Sequence, residues 1–87
     1  VFSIGDPYPN PFNPVVNFDI DITKDSYVSA KIYNIMGQEI ATVYEGMLSG
    51  EKHKMTWMAS NQASGIYFVR VAINNESASH RKIVLMK

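Results

Sequence analysis

Val16-Asn17-Phe18-Asp19-Ile20-Asp21-Ile22 alternates apolar and polar residues without interruption. Because successive side chains of a β-strand point to opposite faces, this stretch predicts a strand with one buried apolar face and one solvated acidic face. The chain has 87 residues, and no part of it carries a convincing helical stripe. The stretch therefore favours an all-β fold.

The same two-residue period recurs along the chain and predicts six strands, with a possible short seventh near the N-terminus. After the first strand, the predicted spans are 28–33, 38–44, 52–57, 66–73 and 77–86. Span 66–73 is apolar on both faces, which is typical of a central strand. Strands separated by polar turns at this spacing predict an immunoglobulin-like antiparallel β-sandwich of about seven strands.

Two local details refine this prediction. Gly37 lies between two strand spans, where a hairpin connection needs a residue that tolerates a positive φ. Within span 38–44, Ile40, Ala41 and Val43 cannot all face one way unless the strand contains a β-bulge. The following stretch, 45–50, contains two glycines and is predicted to be a loop.

The most unusual stretch precedes the first strand and contains all four prolines of the chain, Asp6-Pro7-Tyr8-Pro9-Asn10-Pro11-Phe12-Asn13-Pro14. Prolines fix φ and donate no ladder hydrogen bond, so the segment should be a stiff lead-in. Asn10 and Asn13 can bond backbone groups, and Tyr8 and Phe12 are predicted to plug one end of the core. We expect one domain over 1–87, with a lead-in at 1–14 and the sandwich at 15–87. A polyproline-type recognition motif is the alternative interpretation.

Composition excludes several classes of function. Apolar residues make up 46% of the chain, which is ordinary for a folded domain, and charged residues 18%, which is somewhat low; eight basic residues balance eight acidic ones. The nearest approach to a basic patch is His80-Arg81-Lys82, whose side chains alternate between faces of a strand, so a nucleic-acid partner is not expected. The apolar runs are too short to span a bilayer, and no membrane insertion is predicted. The opening Val1-Phe2-Ser3 suggests a piece of a longer protein.

Catalytic and metal chemistry find little support. The chain has no cysteine and only two histidines, His53 and His80, so a zinc site would need carboxylates from different strands. There is no nucleophile elbow and no glycine-rich phosphate loop, and we expect no enzyme activity and no cofactor. A structural calcium ion, held by loop carbonyls with Asn10 or Asn13, is the remaining alternative. Exposed Tyr27, Tyr33 and Tyr44 would suit sugar stacking, although cross-strand pairing is the simpler interpretation.

Five blocks occur in an order that resembles a known family. They are Tyr8-Pro9-Asn10-Pro11-Phe12-Asn13-Pro14, Ile32-Tyr33-Asn34-Ile35-Met36-Gly37-Gln38-Glu39-Ile40, Trp57, Ala63-Ser64-Gly65-Ile66-Tyr67-Phe68-Val69-Arg70 and Lys82-Ile83-Val84-Leu85-Met86-Lys87. Together they resemble the C-terminal sorting domain of proteins exported by the type IX secretion system. They are also similar to the Ig-like domain of the flagellar hook-capping protein.

The resemblance implies a seven-stranded, non-catalytic module that outer-membrane export and sortase proteins recognise and that directs an upstream cargo domain. The cargo would pass through the periplasm of a Gram-negative bacterium to the cell surface or the medium. Gly65 and Tyr67 match one family block, and the resemblance implies that they take part in recognition together with the terminal block from Lys82 to Lys87. The lead-in, Gly37 and Trp57 match the structural blocks.

We expect the stretch from Ser79 to Lys87 to lie at a sheet edge, where free backbone groups can add to a partner's sheet. Deleting 83–87 should then retain the cargo in the periplasm. An assembly domain of hook-cap or adhesive type and a carbohydrate-binding accessory module of a secreted hydrolase are the alternative functions.

Overall fold

The computed structural model describes residues 2–87, apart from the side chain of Ser77, and contains seven strands within them. The strands are β1 (Phe2–Ile4), β2 (Val15–Ile22), β3 (Ser26–Asn34), β4 (Glu39–Leu48), β5 (Lys52–Met58), β6 (Gly65–Ile73) and β7 (Ser77–Leu85). All pairings are antiparallel, in a three-stranded sheet β1-β2-β5 and a four-stranded sheet β4-β3-β6-β7. The predicted immunoglobulin-like sandwich is confirmed.

The core lies between the two sheets and is built by the two-residue period of the sequence. In β2, Val16, Phe18 and Ile20 are fully buried, whereas Asp19 and Asp21 lie on the outer face. The inner face of the other sheet supplies the buried side chains Val28, Ala30, Ile32, Val69, Val71, Ile83 and Leu85. β6 lies between β3 and β7, as its two apolar faces predicted.

β4 contains the predicted irregularity but is longer than predicted. Its register against β3 shifts twice, between Ala30 and Lys31 and between Ile32 and Tyr33. The strand then continues to Leu48, so the loop predicted at 45–50 is wrong over its first part. Gly46 pairs with Val28 there at φ 155°, a positive φ that glycine adopts readily, so the ladder continues through it.

The hairpin between β3 and β4 is held by the side chain of Asn34. Its Oδ1 accepts hydrogen bonds from the backbone N–H groups of Met36 and Gln38, both at 3.0 Å. Gly37 has φ 83°, which confirms the predicted positive φ. The turn is rigid, yet it exposes two apolar side chains, with Ile35 70% and Met36 79% exposed.

The proline-rich lead-in connects the two sheets. Its first part pairs with β2, through β1 and through a bridge between Tyr8 and Asn17. Its second part reaches the other sheet, where Phe12 forms a parallel bridge with Leu85. Phe12 is 2% exposed and fills one end of the core as predicted, but Tyr8 is 44% exposed and does not plug it. The peptide bonds Tyr8–Pro9, Asn10–Pro11 and Asn13–Pro14 are cis.

Candidate functional site

β7 is the edge strand of the four-stranded sheet, as expected for the stretch from Ser79 onward. Its side chains divide between the two faces. Ile83 and Leu85 are 0% and 1% exposed and belong to the core. Lys82 and Val84 point outward, and Met86, directly after the strand, is 59% exposed. We call these three outward residues the final-strand face, because they are the part of the terminal block that a partner can touch.

The backbone rim of β7 is partly occupied. Asn10 donates from Nδ2 to the carbonyl of Lys82 and accepts from the N–H of Val84, both at 3.0 Å. The N–H of Phe12 donates to the carbonyl of Val84 at 2.9 Å, and the N–H of Met86 donates to the carbonyl of Phe12 at 3.0 Å. The expectation of free backbone groups is therefore wrong between residues 82 and 86, because the lead-in already pairs with them.

Arg81 extends this attachment toward β1. Its guanidinium donates to the carbonyl of Ile4 at 2.9 Å and to Ser79 Oγ at 3.2 Å, and it lies 3.6 Å from the Asp6 carboxylate. Asp6 is almost fully exposed, so this ion pair adds little stability. The hydrogen bond to Ile4 is more informative, because it ties the edge strands of the two sheets together.

The residues of the family blocks that precede β7 serve mainly to hold the end of the sandwich. Trp57 packs against Phe12 and Tyr67, with ring centroids 6.0 and 5.7 Å apart. Tyr67 is buried and donates its hydroxyl to the carbonyl of Ala63 at 2.6 Å. Gly65 begins β6 opposite Leu85. These positions therefore support the site rather than present a surface.

The C-terminal lysine is anchored to the loop before β6. Lys87 donates from Nζ to the carbonyl of Ser60 at 2.8 Å, and its N–H donates to Ser64 Oγ at 3.0 Å. The lysine is nevertheless exposed, so a partner that approaches the final-strand face also meets its charge.

Asn10 and Asn13 were both predicted to form hydrogen bonds with backbone groups, and Asn10 does so. Asn10 bonds β7, which lies more than seventy residues further along the chain. Asn13 is exposed and makes no side-chain hydrogen bond with any described residue. Both asparagines lie in the same proline-rich motif, so the sequence does not distinguish them. The position of β7 next to Asn10 does.

A groove of about 330 Å³ lies on the outer face of the four-stranded sheet, next to the final-strand face. Sequence reasoning missed it, because its lining comes from three segments: Tyr33, Asn34, Ile35, Gly37, Phe68, Arg70 and His80. Arg70 stands opposite His80 in the register, and Lys82 stands opposite Phe68. Lys82, which forms no patch with its sequence neighbour Arg81, thus lies on the same face as the cations Lys31 of β3 and Arg70 of β6.

Two charged contacts on this outer face shift pKa values. Lys31 Nζ lies 3.3 Å from the Glu39 carboxylate, and this contact raises the pKa of Lys31 above its usual value. Tyr27 donates its hydroxyl to Glu45 at 2.8 Å, and the hydrogen bond raises the pKa of Tyr27. At neutral pH Lys31 therefore remains cationic and is offset by Glu39.

The tyrosines suggested for sugar stacking do not form one platform. Tyr27 and Tyr33 lie on the outer face of β3, six residues apart, which is roughly 20 Å along a strand. Tyr44 packs against the core instead, and its hydroxyl donates to the carbonyl of Met47. Over the described residues there is no group of three or more His, Cys, Asp or Glu side chains that could hold a metal ion. A calcium ion bound through carbonyls stays a prediction.

Fold and site together define a small β-sandwich module whose last strand lies at a sheet edge and is bound by its own N-terminal segment. A family model for the secretion system C-terminal sorting domain matches residues 6–86, so this chain belongs to that family. None of the curated proteins matches the sequence. Within the described residues, no helix is long and apolar enough to cross a membrane.

Two solved structures share the fold. Dimeric latent PorU from Porphyromonas gingivalis aligns over 99% of this chain with a TM-score of 0.77 and 19% identity. The alkylpurine DNA glycosylase AlkC from Pseudomonas fluorescens, bound to DNA containing an abasic site analogue, aligns over 99% with a TM-score of 0.58 and 16% identity. The matches cover 9% and 30% of those chains, so the likeness concerns one domain of each.

Family membership establishes the general function. The domain is a C-terminal sorting signal of type IX secretion, which the secretion machinery recognises on an attached cargo. Such a signal implies export to the cell surface or the medium. The family is one of sorting domains and not of catalysts.

Proposed function

We propose that the export machinery reads this domain through the final-strand face, Lys82, Val84 and Met86, together with the charge of Lys87. The domain acts without catalysis and without a cofactor. The proteins that bind it are outer-membrane export and sortase proteins, and the cargo is a larger domain upstream that travels through the periplasm of a Gram-negative bacterium.

The observation that carries the proposal is the division of the terminal block between two faces. Ile83 and Leu85 are in the core and cannot touch a partner without unfolding. The outward residues form a row of cationic and apolar side chains along a sheet edge. A face of this kind offers a partner both apolar area and charge-assisted contacts.

The mode of binding follows from the occupied rim. Because the lead-in bonds the backbone of β7 between residues 82 and 86, a partner cannot add a strand there while the lead-in is in place. Side chains of the final-strand face therefore carry recognition of the folded domain. A partner can add a strand only along the first part of β7, around Ala78, because no hydrogen bond from the described lead-in reaches that part.

Deleting residues 83–87 is a poor test, because it removes Ile83 and Leu85 from the core. A point substitution on the face avoids this problem. Met86→Glu places a charge on an exposed side chain, and Met58→Glu makes the same change on β5 of the other sheet, where the methionine is 64% exposed. The two variants should be equally stable.

The assay uses a reporter fused upstream of the chain in a bacterium with type IX secretion. We expect Met86→Glu to lower export at least about tenfold, the effect of about 1.4 kcal/mol of lost affinity, with the reporter accumulating in the periplasm. Met58→Glu should be exported normally. Normal export of Met86→Glu, or equal losses for both variants, would refute recognition through this face.

A further inference from the structure

We propose that the groove on the outer face of the four-stranded sheet binds an acidic segment of a protein, with an apolar side chain in the groove and a neighbouring carboxylate on Arg70. This interaction goes beyond the sorting function proposed above and does not depend on it. It can be measured on the isolated chain.

The floor of the groove is apolar. Tyr33 and Phe68 are cross-strand partners on β3 and β6 and are both only half-buried. Ile35 of the hairpin rises beside them and is 70% exposed. A space of about 330 Å³ lies at the lower end of what binding pockets offer, and it suits a few apolar side-chain atoms rather than a large ligand.

One wall of the groove carries the cation Arg70, and Lys82 lies beside that wall. Arg70 and His80 face each other across β6 and β7, and Lys82 stands next to Phe68. Lys31, beside Arg70, is already paired with Glu39. In contrast, the side chains of Arg70 and Lys82 make no hydrogen bond or ion pair with other described residues. A guanidinium presents donors in a fork that matches a carboxylate, so Arg70 is the natural contact for an acidic side chain.

The opposite surface of the sandwich shows that this charge is not a general property of the chain. On the outer face of the three-stranded sheet, Asp19 pairs with Lys54 and Asp21 with Lys52 in the strand register. That face is balanced, and the chain as a whole has a formal net charge of zero. Two cations without an ion pair, Arg70 and Lys82, lie on the same side of the groove, where they favour a partner of negative charge.

The groove is also preorganised. The hydrogen bonds from Met36 and Gln38 to Asn34 Oδ1, together with the Asn34–Gln38 side-chain bond at 2.8 Å, fix the hairpin that carries Ile35. A rigid wall costs little conformational entropy on binding. Exposed apolar residues on a tight turn are therefore available for a partner without rearrangement.

The geometry favours a protein segment over a nucleic acid. A nucleic-acid backbone needs cations in a row that follows the phosphates. Here the two cations without a partner, Arg70 and Lys82, flank an apolar floor only a few side chains wide. One carboxylate beside one aliphatic side chain satisfies that arrangement.

The test titrates the 87-residue chain with a capped synthetic peptide, Glu-Leu-Glu-Leu-Glu, and follows backbone amide signals by NMR. We expect chemical-shift changes at Ile35, Phe68, Arg70 and His80. The matched peptide Gln-Leu-Gln-Leu-Gln should bind at least about tenfold more weakly, because it lacks the carboxylates that accept charge-assisted hydrogen bonds from Arg70.

Substitutions locate the contact. Arg70→Gln should weaken binding of the acidic peptide about tenfold, and Lys82→Gln should weaken it to a smaller extent. Lys54→Gln makes the same loss of charge on the other sheet and should leave binding unchanged. Equal binding of the two peptides, equal losses for Arg70→Gln and Lys54→Gln, or tighter binding of decathymidylate at the same amides would each overturn the proposal.

Discussion

Replacing Asn10 by alanine tests how firmly the lead-in holds the last strand. The substitution removes two hydrogen bonds, from Nδ2 to the carbonyl of Lys82 and from the N–H of Val84 to Oδ1. Each hydrogen bond contributes about 0.5–1.5 kcal/mol net, so the free energy of unfolding should fall by about 1–3 kcal/mol. Because Asn10 is exposed, water can reach the released groups, and a value near the lower end is expected.

Two measurements check this prediction. Urea denaturation gives the change in the free energy of unfolding, and hydrogen exchange reports on the amide of Val84 itself, which should exchange faster in the variant. Asn13→Ala is the matched control. It removes the same side chain from the same motif, but Asn13 has no hydrogen-bond partner among the described residues.

The reasoning fails if Asn10→Ala and Asn13→Ala change the free energy of unfolding equally. It also fails if exchange at Val84 is unaffected while distant amides exchange faster. Either result would show that the asparagine amide does not hold the edge of β7. In that case only the backbone hydrogen bonds between Phe12 and residues Val84 and Met86 would hold the lead-in against this rim.

Two further predictions concern single contacts. A Cβ at Gly50 would lie 2.6 Å from Lys24 Cα, so Gly50→Ala should lower the free energy of unfolding by about 1–3 kcal/mol. A Cβ at Gly5 would have its nearest atoms at 3.9 Å, so Gly5→Ala should change this free energy little. Thermal unfolding of the two variants compares them. Glu45→Gln should bring the pKa of Tyr27 back toward its usual value, because the carboxylate that accepts from the neutral phenol raises it. The hydrogen bond from Tyr27 to Glu45 persists below the pKa of folded Tyr27 and is lost as the pH rises past it. An NMR titration of the ring carbon that bears the hydroxyl measures this pKa. An unchanged pKa in Glu45→Gln would contradict the carboxylate as its cause.

The alternation of side chains was enough to predict the strands, the sheet faces and the central position of β6, because burial between two sheets imposes a period of two. It was not enough for β4, where the pairing of Gly46 with Val28 continues a strand that the sequence pattern predicted to end before the glycine. A glycine can lie in a strand or in a turn, and only the pairing with a partner strand decides which of the two it adopts.

The candidate site depended more strongly on tertiary structure. The partners of Asn10 lie on β7, and no local pattern points to a contact over that separation. The cations beside the groove come from different strands, so adjacency in the sequence was a misleading guide. Arg81 turns toward Ile4, whereas its neighbour Lys82 lies on the same face as Arg70. Register, which the sequence does not state directly, decides which charges meet.

Because register decides which side chains face outward, it also decides which residues of a folded sorting signal a partner can contact. In the terminal block, Ile83 and Leu85 hold the sandwich together, and Lys82, Val84 and Met86 face outward. A partner that read the unfolded tail would contact both sets. A partner that reads the folded domain contacts only the second, and it does so on a strand that the lead-in keeps in place. Substitutions in the two sets should therefore differ in kind: core changes should reduce export in proportion to lost stability, whereas outward changes should reduce it at full stability.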